Sequence, residues 1–487
     1  MTTWKTNRKE ALRTHADRLA TERDRWIERN SYYYAEDHGY MQFLVPPGKK
    51  VLDLGCGTGR LLAALQPGRG VGVDFSPAMV EEARRRHPSL EFHVGDIEDP
   101  EVLDRLGGPF DVIVLSDTVG SLEDCESTLR NLHRCCDPDT RVIISYYSRL
   151  WSPVLDVGKR IGQQMPQPEP NWLSADDLAG LLYLADFEVI RLDYRQILPK
   201  RLGGVGPLVN RFVGTLPVVS RLALRSYVVA RPVTTRPPVM PSATVVIPCR
   251  NEAGNVKPAV ERIPSFCEDM DILFVEGHSQ DDTVGEIRRV IAAYPELDIK
   301  LVQQTGKGKG DAVRAGFEAA RGDILMILDA DLTTPPEDLP KFYDAIVSGK
   351  GELVIGTRLV YPMEDDAMRL LNMLGNKIFS LLFTWLLDQR ITDTLCGTKV
   401  LRRRHYEDIK HGRRHFGEFD PFGDFDLIFG AAKLNLKIVE IPVRYGARTY
   451  GTTQISRFRH GLLLLRMVIV AFRKLKAVET EPAWKRH

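Results

Sequence analysis

Val51-Leu52-Asp53-Leu54-Gly55-Cys56-Gly57-Thr58-Gly59-Arg60-Leu61-Leu62 joins a short apolar run to a glycine-rich turn and then to a helical start. The glycines permit a tight turn and let a ligand approach the backbone closely. The helix that follows offers free N–H groups to that ligand. Working outward, similar apolar runs recur: GVGVD, LEFHV, FDVIVLSD and RVIISYY, each separated by residues of helical character. Short strands alternating with helices predict a mostly parallel sheet and an α/β unit. DFEVIRLDY and SYVVARP read as two closing strands.

After the proline-rich stretch RPVTTRPPVMPSA (231–243) a second alternation starts: ATVVIP, MDILFVEG, IKLVQQ, DILMILDAD, GELVIGTR and LKIVEIPVRY. Its opening loop, PCRNEAGN, differs in kind from the first, so two folding units are expected rather than a repeat. The predicted division is a lid of one or two helices (1–45), a first α/β domain (46–232), a linker (233–243), a second α/β domain (244–476) and a tail (477–487). A chain of 487 residues is long enough for two large domains.

The totals exclude several classes. A net charge of +1 gives no bulk attraction for nucleic acid, and none is expected as a partner. Seven scattered cysteines, with no CxxC pair, argue against a zinc knuckle and for a reducing cytoplasm. The charged N-terminus lacks the apolar core of a signal peptide. The longest apolar runs, Ile378–Leu387 and Gly461–Phe472, fall short of the roughly 18 residues needed to span a bilayer. The expected location is cytoplasmic. The basic-ended GLLLLRMVIVAFRKLK, with Arg473, Lys474 and Lys476, suits the inner membrane face.

Asp74 ends the second run 19 residues after Gly55. An acid about 20 positions beyond a glycine turn is placed to accept both hydrogens of a ribose diol. Asp96 ends the third run, where it can hydrogen-bond an adenine amine. The pattern DxGxGxG, rather than the GxGxxG of dinucleotide binders, disfavours a dehydrogenase or epimerase. It resembles motif I of class I S-adenosylmethionine-dependent methyltransferases, closely over 49–119 and more loosely to 232. That resemblance implies a Rossmann-like fold with S-adenosylmethionine as cofactor. Gly55, Gly57 and Gly59 would cradle its methionine part, with Asp53 near the amino group. Asp74 would bind ribose, Asp96 and Ile97 would border adenine, and Asp117 would face the cofactor. An oxygen acceptor also needs a base, for which Tyr32, Tyr33, Tyr34, His38 and His133 are contributors to weigh.

In the second half, Asp329-Ala330-Asp331 follows the apolar ILMIL. Carboxylates two apart at a strand end can both reach a hard divalent ion that bridges to phosphate. Upstream, the loop Gly306–Gly310 carries Lys307 and Lys309 ahead of a helix start, suited to an anion. The ordered set resembles family 2 glycosyltransferases of the GT-A fold, nearest the dolichyl-phosphate mannose and glucose synthase branch, over 242–475. By that resemblance Pro248, Asn251, Glu252 and Glu276 surround base and ribose. Lys309 approaches the phosphates, and Asp329 and Asp331 hold Mg²⁺ or Mn²⁺ with the diphosphate. Arg358, Lys399 and Arg448 match polar positions near donor or acceptor phosphate. Asp424 and Asp426 match the catalytic acids beside the acceptor. They would serve as base for a hydroxyl acceptor and be dispensable for a phosphate.

One departure stands out. Glu276 is followed by Gly277 where the family carries a second acid against the base, so UDP- and GDP-sugars both remain open as donors. A second departure is the absence of the transmembrane pair found in many polyprenyl-phosphate members. The expectation is a bifunctional enzyme: methyl transfer, and inverting sugar transfer from a nucleoside diphosphate sugar to a glycan, polyprenyl phosphate or small-molecule acceptor. The rival readings are a non-catalytic binding module in one half, or a nucleotidyltransferase second half, which PCRNEAGN does not resemble.

Overall fold

The computed structural model describes residues 3–165, 168, 170–233, 240–360, 370–415, 425–446, 448, 450 and 457–478. Asp424, most of the linker and most of the tail lie outside them. The chain forms two compact units, Met1–Thr234 with Lys476–His487, and Thr235–Leu475.

In the first unit the apolar runs become β1 (Lys50–Leu54), β2 (Arg69–Asp74), β3 (Glu91–Val94), β4 (Val112–Ser116), β5 (Arg141–Tyr147), β6 (Phe187–Arg195) and β7 (Arg225–Pro232). They assemble in the order β3-β2-β1-β4-β5-β7-β6. The first five are parallel, and β7 inserts antiparallel between β5 and β6. Parallel strands covered on both faces read as continuous apolar runs. Leu52, Leu54, Val71, Val73, Ile113 and Leu115 are accordingly fully buried. Each buried aliphatic side chain contributes about 1.5–3 kcal/mol of transfer free energy. The order turns back between β1 and β4, which opens a crevice outside the carboxyl ends of those strands. Three helices precede the sheet, Thr3–Leu19, Arg23–Arg29 and Ser31–Leu44, rather than the predicted one or two.

The second unit contains β8 (Ala243–Cys249), β9 (Met270–Glu276), β10 (Asp298–Gln303), β11 (Ile324–Ile327), β12 (Leu353–Thr357), β13 (Lys399–Arg402) and β14 (Ile438–Pro442). Their order is β10-β9-β8-β11-β13-β12-β14. β8, β9, β10 and β11 are parallel, and β13 runs antiparallel to β11 and β12. β13 was not foreseen, because its four residues, KVLR, are charged at both ends. The order turns back between β8 and β11, so the loops after these strands border the second crevice.

Among the described residues no helix is long and apolar enough to cross a membrane. In the helix Arg457–Ala471, Leu462 and Ile469 are exposed while Met467 and Ala471 are buried. Lys476, expected to reach lipid, is instead buried, with its Nζ 3.7 Å from Asp193.

Candidate active sites

At the first crevice the glycine turn is pinned from below. Asp74 accepts the Gly57 N–H (2.8 Å) on one oxygen and the Ser76 N–H (2.9 Å) on the other. Gly55 has φ +82°, and a Cβ there would stand 2.3 Å from Thr118 Oγ1, so only glycine fits. A cavity of about 200 Å³ opens at this turn. Gly55, Gly57, Asp74, Asp96, Ile97 and Asp117 line it, joined from the N-terminal helices by Lys9, Leu12, His15 and Arg23. The N-terminal helices thus form part of the cavity wall. Asp96 forms an ion pair with Lys9, which also meets Glu98 at 2.7 Å.

Asp53 is buried behind the turn. Burial, then the charge of Asp74, raises its carboxyl to about 7, with Arg23 opposing. This lies above the ordinary 3.8, so Asp53 favours the fold when protonated. That contribution is complete below about pH 3.8 and fades as pH rises through 7.

Arg23 and Arg225 were missed by sequence reasoning. Arg23 Nε lies 3.1 Å from where a Cβ on Gly57 would stand. Arg225 has no exposed surface and binds Asp117 (2.8 Å), Asp37 (3.0 Å), the Tyr33 hydroxyl (2.7 Å) and Ser145 Oγ (2.9 Å). Its guanidinium also lies over the Tyr147 ring at 5.0 Å. Burial pushes the Tyr33, Tyr146 and Tyr147 phenols up, so they hold protons rather than accept them. Two of the weighed bases have structural roles: Tyr32 accepts from Asn210 (2.9 Å), and His133 bonds the Ala185 carbonyl (2.8 Å) while stacking on Phe187. Burial lowers His38, which favours its neutral form.

The second crevice gathers acids and cations. Lys309 Nζ meets Asp329 Oδ1 at 2.5 Å. Arg448 meets Asp331 Oδ2 at 2.7 Å and Glu252 at 3.6 Å. Burial opposes the charge of Asp329, yet Lys309, with Lys399 and Arg358 beyond it, holds the carboxyl below its ordinary value. Gly397 permits this packing, since a Cβ there would fall 1.9 Å from Asp329 Oδ2. Arg358 grips the buried Asp393 through two bonds (2.6 and 2.8 Å). Lys399 is buried and donates to the Cys396 carbonyl (2.7 Å). Asp426 pairs with Arg413 at 3.1 Å.

On the other side of β8, Asn251 adopts φ +57° and accepts the Gln280 N–H (2.7 Å). Glu276 accepts the Ser279 N–H (2.5 Å), and Glu252 accepts from Asn255 (2.6 Å). Pro248 lies in β8, opposite Val275 of β9. Gln304 follows β10 and was not anticipated. Its Nε2 donates to the Gly306 carbonyl (3.1 Å), which fixes the amide, and its buried Oε1 has no partner among the described residues. That oxygen lies 3.6 Å from where a Cβ on Gly277 would stand, at the position of the missing acid.

A glycine-turn cavity with strand-end acids lies in one α/β unit, and paired acids among cations lie in the other. Residues 23–192 match the family described as "Methyltransferase domain", and residues 244–410 match "Glycosyl transferase family 2". The chain thus carries a Rossmann-like methyltransferase domain followed by a GT-A family 2 glycosyltransferase domain. Among curated relatives, a low-salt glycan biosynthesis hexosyltransferase of Haloferax volcanii is 28% identical over 235 residues, 48% of this chain and 54% of its own length. A dolichol-phosphate mannosyltransferase of Pyrococcus furiosus is 29% identical over 219 residues, 44% of this chain and 59% of its own. The matches span little more than half the length of these two relatives. A solved S-adenosylmethionine-dependent methyltransferase of Thermotoga maritima, described as a possible histamine N-methyltransferase, is 19% identical. The likeness covers 45% of this chain and 99% of that one, with a TM-score of 0.35.

Proposed function

We propose that the chain performs two transfers, a methyl group from S-adenosylmethionine at the first crevice and a sugar from a nucleoside diphosphate sugar at the second. The observation that carries the reading is the Asp329–Asp331 pair at a strand-end crevice, each acid held against a cation suited to phosphate. Such hard oxygen donors fit Mg²⁺ or Mn²⁺, which supplies positive charge against a leaving diphosphate. Lys309 and Arg448 can then turn to the phosphates. Asp426 pairs with Arg413 at 3.1 Å, and an acceptor that is already anionic, such as a polyprenyl phosphate, would need no base from it. The Pyrococcus relative is a dolichol-phosphate mannosyltransferase, which is consistent with such an acceptor. The test is sugar transfer from UDP- and GDP-sugars to polyprenyl phosphate, with and without Mn²⁺. Absence of transfer from either donor contradicts the reading.

In the first site S-adenosylmethionine supplies an electrophilic methyl group. Asp74 fits its ribose, Asp96 and Ile97 its adenine, and Arg23 its carboxylate. Its ammonium beside Asp53 favours the ionised carboxylate. Binding of S-adenosylhomocysteine, which keeps that ammonium, should therefore release a proton near pH 7, read as a buffer-dependent binding enthalpy. Asp53→Asn removes the dependence. An enthalpy independent of buffer in the unaltered chain separates Asp53 from the cofactor.

Gln304 reads the donor base. Its partnerless Oε1 accepts a ring N–H, which uracil and guanine have and cytosine and adenine lack. The three strand spacings from β11 to β10, about 14 Å, suit a nucleotide lying from diphosphate to base. Gln304→Leu should weaken the preferred nucleoside diphosphate about tenfold and leave CDP and ADP unchanged. An equal loss for all four nucleotides points to a structural role instead.

A further inference from the structure

We infer that the methyltransferase unit docks on an anionic lipid surface through an exposed apolar face built from two adjoining segments. The first is the turn and helix spanning 149–161. Leu150, Val154, Val157 and Ile161 recur there at helical spacing and are all more than half exposed. The second segment, 196–224, joins β6 to β7 and exposes Leu202, Leu208, Phe212, Leu216 and Val218, the last at 81%. The two are tied together: Trp151 Nε1 donates to the Leu222 carbonyl (2.8 Å), and the Ser148 N–H to Leu224 (2.7 Å). The second segment is also braced from within. Buried Asn210 donates to the Leu198 carbonyl (2.9 Å) and accepts the Leu198 N–H (2.9 Å). The backbone that carries these exposed side chains is thus hydrogen-bonded at both segments.

Charge selects the occupant. Residues 196–224 carry Lys200, Arg201, Arg211 and Arg221 and no acid. Residues 149–161 add Arg149 and Arg160, while Lys159 pairs with the lone acid Asp156 at 3.5 Å. In a chain of net charge +1, exposed Arg149, Arg160, Lys200, Arg201 and Arg221 share these two segments with the exposed apolar residues, as a headgroup-seated surface requires. A second copy of the chain would set like charges against like, which disfavours self-association.

The same helix that exposes Val154 and Val157 turns Leu155 and Lys159 to the cofactor cavity. Docking through this face brings that cavity to the membrane, so the methyl acceptor is a lipid or lipid-linked molecule. The docking stands by itself; the acceptor class rests on the methyl-transfer reading.

The test is co-sedimentation of the full chain with vesicles of phosphatidylglycerol and phosphatidylcholine in equal parts, against phosphatidylcholine alone. Binding is expected only to the anionic vesicles and should weaken with salt. Val157→Glu with Val218→Glu should lower partition about tenfold or more, with the melting shift caused by S-adenosylhomocysteine unchanged. Arg201→Gln and Arg221→Gln, which leave the apolar face intact, should each lower it about fivefold. The inference is overturned by a chain that ignores anionic vesicles. It is equally overturned if both sets of variants bind as well as the parent, or if light scattering shows a dimer that the glutamates dissolve. Absence of any S-adenosylhomocysteine response in the parent removes the acceptor class and leaves the docking result to be read separately.

Discussion

Asp331→Ala should abolish sugar transfer, a loss on the order of a thousandfold, while S-adenosylhomocysteine binding is untouched. The magnitude is that of removing several kcal/mol of charge stabilisation from a departing diphosphate. Asp331 also organises its surroundings: it accepts from the Thr333 hydroxyl (2.8 Å) and N–H (3.2 Å) and anchors Arg448 (2.7 Å). The substitution frees Arg448 to approach Glu252 more closely, so nucleotide binding can persist but should no longer depend on metal. Turnover of donor and metal-dependent nucleotide binding are measured side by side. Unchanged turnover sinks the metal assignment.

Arg225→Met should destabilise the methyltransferase unit by about 3–5 kcal/mol, as expected when one partner of a buried ion network is removed. The substitution strands the carboxylates of Asp37 and Asp117, and takes a donor from Tyr33 and Ser145. Arg225→Lys keeps the charge but loses the planar fork, and should recover only part of the stability. Denaturant unfolding, followed through the transition that S-adenosylhomocysteine shifts, measures the change. A loss below about 1 kcal/mol would mean that the two acids find other compensation.

The alternation of apolar runs and helices was legible because parallel strands buried on both faces leave a strong local signal. Thirteen of the strand runs, from VLDL to LKIVEIP, were readable as apolar segments, the antiparallel β6 and β7 among them. β13 was not, since KVLR is short, and its pairing with β11 and β12 is a long-range fact. Residues at strand ends, such as Asp74 and Asp329, announced themselves by position. Arg225 did not, because an arginine opening an apolar strand has no local reason to be buried; its partners come from Asp37, 188 positions earlier, and Asp117. Gln304 was hidden in the same way, as its vacant oxygen gains meaning only beside Gly277. Asp426, singled out by its place in FGDFDL, pairs with Arg413, a partner 13 positions earlier that its local sequence does not announce.

The most direct test of the two-transfer account is the melting of the full chain against S-adenosylhomocysteine, UDP, GDP and NAD, each with and without Mn²⁺. A ligand that binds the folded state raises the melting temperature by mass action. The account predicts a rise with S-adenosylhomocysteine that ignores Mn²⁺, and a separate rise with UDP or GDP that requires it. A response to NAD in place of S-adenosylhomocysteine, or no response to either nucleotide with Mn²⁺, contradicts it.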